Sequence, residues 1–76
     1  MMNLIKGGFT LNNLKKFREK NCLSQRRLSE ITGVNLRMIQ FYETGFKNIN
    51  HAHADTILRL ANALNCHMED LIEDKK

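Results

Sequence analysis

Three groups of residues in this 76-residue chain carry side chains able to do chemistry. They are His51-Ala-His53, Cys66-His67, and a dispersed polar set of Gln25, Arg26, Arg27, Arg37 and Gln40. The first two invite a metal. Zinc needs four converging ligands, however, and neither group has a CxxC or HxxxH spacing, so both are expected to serve as loop or cap residues with no metal. No Ser/His/Asp or Cys/His arrangement suggests a nucleophile, and so short a chain leaves little room for a substrate pocket. The expectation is a protein that is not an enzyme and needs no cofactor. The third group suits recognition instead. A guanidinium can bond bidentately to guanine O6 and N7, a glutamine amide can reach adenine, and a helix N-terminus attracts phosphate.

Charge fits that chemistry. The formal net charge is +4 with a pI near 9.4. Residues 1–47 hold nine Lys/Arg against three acids, and residues 48–76 hold three against five. A basic front and a mildly acidic back suit a domain that turns one side to a polyanion, although the lysines of the first helix equally suit a solvated face. Hydrophobic residues make up 42% and proline is absent, which favours an all-α globular fold. No apolar run reaches the roughly 18–20 residues that span a membrane, and MMNLIKGGFT lacks the features of a signal peptide. The expected location is the cytoplasm, with Cys22 and Cys66 reduced and a disulfide the minority alternative.

The elements that must position these residues read as follows. A first helix is expected from Leu11 to Lys20 behind Thr10 as N-cap, with Leu14 and Phe17 inward. Ser24 caps a second, Gln25 to Thr32, with Leu28 and Ile31 inward. Gly33 then suits a left-handed stop, Val34 an anchor in the core and Asn35 the cap of a third helix, Leu36 to Thr44, ended by Gly45. Stop, anchor and start in three residues predict a tight helix-turn-helix. Ser29 lies where the two helices would cross, and a larger side chain would force them apart. A loop from Phe46 to His51 leads to a fourth helix, Ala52 to Leu64, whose Ile57, Leu60, Ala61 and Leu64 form the clearest apolar stripe. A last helix from Met68 to Glu73 offers Leu71 and Ile72. Residues 1–9 read as an N-terminal extension and 10–76 as a single domain.

With the elements placed, LSQRRLSEITGVNLRMIQFYETG resembles the helix-turn-helix of the Xre/Cro (lambda-repressor-like) DNA-binding family. The matching features are Leu23-Ser24-Gln25, Ser29, Gly33-Val34-Asn35, Ile39 and Tyr42-Glu43-x-Gly45. Leu14-x-x-Phe17-Arg18 precedes them, and Leu60-Ala61-x-Ala63-Leu64 with Leu71-Ile72 follows. The likeness covers roughly residues 11–73. It implies a compact five-helix all-α domain that binds double-stranded DNA, regulates transcription as a repressor-like protein and lays the helix of residues 35–44 in the major groove.

Residue by residue, the resemblance and the helical geometry yield expectations. Ile39 and Tyr42 pack inward, while Leu36, Arg37, Gln40 and Phe41 face outward as base readers. Leu36 and Phe41 depart from the polar readers the family often carries. They suit thymine methyl groups, or a surface for a protein partner. Gln25, Arg26, Asn35, Lys47 and Asn48 are expected at phosphates. The resemblance pairs Glu43 with Arg18 in a structural ion pair. Phe46, Ile49 and the last helix offer apolar surface beyond the core, consistent with a homodimer reading half-sites about 34 Å apart. The loop after Gly45 is longer than the family's common form and lacks its usual proline. The rival reading is a protein-interaction module, such as an antitoxin, on the same scaffold.

Overall fold

The computed structural model describes residues 12–73, which form five α-helices. They are α1 (Asn13–Lys20), α2 (Gln25–Thr32), α3 (Leu36–Thr44), α4 (Ala54–Leu64) and α5 (Met68–Leu71), with one 3-10 turn at Ile49–His51. Among the described residues there is no strand, and no helix is long and apolar enough to cross a membrane. The expected extension at residues 1–9, Thr10 and Leu11 lie outside the described residues.

Local chemistry sets each helix start. The Asn12 side chain accepts from Lys15 N, so α1 begins at Asn13, later than the expected Leu11. Ser24 accepts from Arg27 N at 2.9 Å and Asn35 accepts from Arg37 N at 2.7 Å. Each cap satisfies an amide that has no partner within its own helix. Gly33 ends α2 at φ +79° and Gly45 ends α3 at φ +84°, where the missing Cβ removes the left-handed penalty. The turn between α2 and α3 is also bonded internally. Ser29 Oγ donates to Val34 O at 2.6 Å, and Val34 N donates to Thr32 Oγ1 at 3.1 Å.

Leu14, Leu28, Val34, Ile39, Tyr42, Ile57, Leu60, Ala61, Leu64 and Leu71 make one contiguous core, joined by Ile49. Two expectations about burial are corrected. Ile31 is 50% exposed, because it lies about 60° round α2 from Leu28 and stops over Arg59, Asn62 and Ala63 of α4. Ile49 is only 2% exposed, since the 3-10 turn drops it into the core rather than leaving it as interface surface. That turn is tightened by Asn48 Oδ1, which accepts from Asn50 N at 2.8 Å.

Two boundaries also move. Ala52 closes the 3-10 turn, so α4 starts at Ala54 rather than Ala52. The last helix stops at Leu71 rather than Glu73, because the following backbone is engaged elsewhere. Asn50 bonds Glu73 twice, through Glu73 N at 2.8 Å and Glu73 O at 2.7 Å, and Asn13 Nδ2 donates to Ile72 O at 3.0 Å. Glu73 Oε2 accepts from Asn13 N at 2.7 Å, placing a carboxylate at the positive end of α1.

Candidate nucleic-acid interface

Helix α3 is seated in the fold by one face. Its inward face carries Ile39 and Tyr42 in the core, with Glu43 also buried at 4% exposure. A buried carboxylate is costly unless paired and hydrogen-bonded. Here Arg18 Nε donates to Glu43 Oε2 at 2.6 Å and Arg18 Nη2 to Glu43 Oε1 at 3.0 Å, a two-pronged bond between α1 and α3. Arg18 Nη1 donates to Leu23 O at 2.7 Å, tying in the α1–α2 connection as well. The hydrogen bond to Glu43 raises the Arg18 pKa from its ordinary value, against the opposing effect of burial.

Gln25 extends this network across α2. Its Nε2 donates to Glu43 Oε1 at 3.0 Å, and Gln40 Nε2 approaches Gln25 Oε1 at 3.5 Å, at the weak end of hydrogen-bond length. An amide nitrogen has two hydrogens, so Gln25 keeps one donor beyond its bond to Glu43. Arg18, Glu43, Gln25 and Gln40 therefore form one chain of contacts, and the negative charge of Glu43 is matched inside the fold.

The outward face of α3 is different. Arg37 is exposed, and Leu36, Gln40 and Phe41 are half-buried. Arg37 and Phe41 lie one turn apart, so they share a row opposite Ile39. The α3 rod has nine residues, about 14 Å long at 1.5 Å per residue. The Phe41 ring meets the Phe46 ring at 4.7 Å between centroids, a contact that sequence reasoning missed. Its only signal was a pair of phenylalanines flanking Tyr42-Glu43-Thr44-Gly45.

The remaining candidates spread around this helix. Arg26, Asn35, Lys47 and Asn48 are all exposed, and Gln25 is half-buried. Lys47 and Asn48 line a groove of about 330 Å³ with His51 and His53, beside Met38 and Tyr42 of α3. The side-chain oxygens of Asn35 and Asn48 are occupied in capping. Among the described residues, no ion pair engages Arg26, Arg37 or Lys47, whereas Arg27 pairs with Glu30 and Arg59 with Asp55, each at 3.3 Å. Also among the described residues, no group of three or more His, Cys, Asp or Glu is placed to hold a metal ion. Cys22 and Cys66 are free thiols.

Comparison with known proteins adds the family. A family model described as helix-turn-helix matches residues 14–71, from the first buried leucine of α1 to the one that closes α5. No curated protein matches the chain. With two capped helices joined at Gly33-Val34-Asn35 and α3 held outward, the chain belongs to the Xre/lambda-repressor-like helix-turn-helix family, whose members are DNA-binding regulators.

Proposed function

We propose that this protein is a sequence-specific, repressor-like regulator of transcription that lays α3 in the major groove of double-stranded DNA. One observation carries the reading: the outward row of α3 presents Arg37 with no ion-pair partner among the described residues, beside Gln40, on a helix whose inward face is fully engaged. An α-helix, about 10–12 Å across with its side chains, fits a groove about 12 Å wide.

Arg37 is assigned to a guanine edge, Gln40 to adenine, and Leu36 and Phe41 to thymine methyl groups. Gln25, Arg26, Lys47 and Asn48 contact phosphates, and Asn35 brings the N-terminus of α3 to the backbone. The unit acts in the cytoplasm as a homodimer, so that a two-fold axis sets half-sites about 34 Å apart. A protein-interaction role, as in an antitoxin, has one observation in its favour, the exposure of Phe46 at 74%.

Titration of selected native duplexes separates the two readings. Counterion release makes DNA affinity fall steeply with salt, whereas an apolar protein contact hardly responds. On the best duplex, Arg37→Ala is expected to cost about 1–3 kcal/mol and to relax preference at one base pair, and Lys47→Ala to lower the salt slope by about 1. An Arg37→Ala protein that binds every duplex as tightly as the parent rules out the assignment of α3 as the reading helix.

A further inference from the structure

Phe46 is the most exposed large apolar side chain among the described residues, at 74%. Single exposed apolar residues are ordinary and need no function. This one is not loose, however. Gly45 reverses the chain at φ +84°, Phe46 N donates to Thr44 Oγ1 at 3.3 Å, Thr44 Oγ1 donates to Phe41 O at 3.2 Å, and Lys47 N donates to the same carbonyl at 3.2 Å. The last turn of α3 therefore holds the Phe46 backbone in place. Its ring leans on Phe41 at 4.7 Å with a 44° tilt, within the range of favourable aromatic pairs.

We infer that Phe46 is a specificity-determining residue: it braces Phe41 so that the two rings form one apolar seat for the methyl group of a thymine. The inference rests on the proposed placement of α3 in the major groove, and it names a base feature that this end of the helix reads. The major groove displays a single apolar group, the thymine C5-methyl, among otherwise polar base edges. Phe41 lies on the same row as Arg37, one turn further on, so the seat continues the reading surface towards the next base pairs. Without Phe46 the Phe41 side chain has rotamer freedom that must be lost on binding, which weakens methyl discrimination. Lys47 follows directly in sequence and is free of ion pairs among the described residues, so a phosphate contact can anchor the segment beside the seat.

The test removes the methyl and nothing else. The full chain is titrated against its tightest selected duplex and against copies in which each thymine in turn is replaced by 2′-deoxyuridine. For the parent, one position besides any read by Leu36 is expected to weaken binding about three- to tenfold, the scale of one buried methyl group. Phe46→Ala is expected to erase that ratio while keeping the parent's salt dependence and melting temperature, and Phe46→Tyr to retain it. A parent that is indifferent to every methyl, or a Phe46→Ala protein that keeps the full ratio, overturns the inference. If the parent binds no duplex at all, the major-groove reading fails and this inference fails with it. If binding is salt-dependent yet methyl-blind, this inference and the methyl assignments of Leu36 and Phe41 fail, while the groove placement of α3 stands.

Discussion

Helices α3 and α4 use similar residues to opposite ends. In α4 the apolar stripe of Ile57, Leu60, Ala61 and Leu64 is buried, and Arg59 on the outside is answered by Asp55 four residues earlier. The helix is electrostatically closed. In α3 the only acid, Glu43, is turned inward and bound by Arg18 and Gln25, so nothing on the helix answers Arg37. An arginine without a partner on a firmly seated helix is what a polyanion-reading surface requires. The difference lies in where the acid sits, not in how many charges there are.

The largest way to break the contrast is to remove the inward acid. Glu43→Ala leaves the Arg18 guanidinium buried without its partner and is expected to cost about 3–5 kcal/mol in urea unfolding. Arg59→Ala, which breaks an exposed i,i+4 pair, is expected to stay within about 0.5 kcal/mol. Equal losses for the two would mean the buried pair is no more than a surface bridge.

A smaller effect separates the C-terminal ends. Gly45 closes α3 at φ +84° with no heavy atom within 4 Å of an added Cβ, so Gly45→Ala meets backbone strain alone. About 1–2 kcal/mol is expected from thermal unfolding. Asn65 closes α4 at φ +57° with a residue type that tolerates this region. Asn65→Gly is therefore expected to change stability by less than Gly45→Ala does.

The smallest effect concerns the turn after α4. Burial, reinforced by Asp70, pushes the Cys66 thiol pKa up, and Cys22 is exposed. Only the thiolate reacts, so alkylation at pH 8 is expected to be slower at Cys66 than at Cys22 and to quicken there as pH rises. Mass spectrometry of each labelled peptide reads both rates. Faster labelling of Cys66 would mean that the α4–α5 turn opens readily.

Much of the reading unit is legible in the chain because it is local. Ser24, Gly33, Asn35 and Gly45 act on amides and dihedrals within three residues of themselves, so their chemistry can be read without neighbours. Burial is harder. Ile31 reads as inward and Ile49 as loop surface, yet the first lies at the surface and the second in the core, according to what α4 and the 3-10 turn place around them. The link between Asn13 and Glu73 spans 60 residues and leaves no periodic trace. Nor does local spacing couple Arg18 to Glu43, or Phe41 to Phe46 across a glycine turn.

The amino-acid sequence alone determined that two short helices meet at a sharp turn and that the front of the chain is basic, since caps, glycines and charges act at short range. Only the tertiary structure decided that Glu43 is buried against Arg18 and Gln25 together, leaving Arg37 with no acid to meet it among the described residues. That outcome depends on which helices pack against α3, and packing is a property of the whole chain.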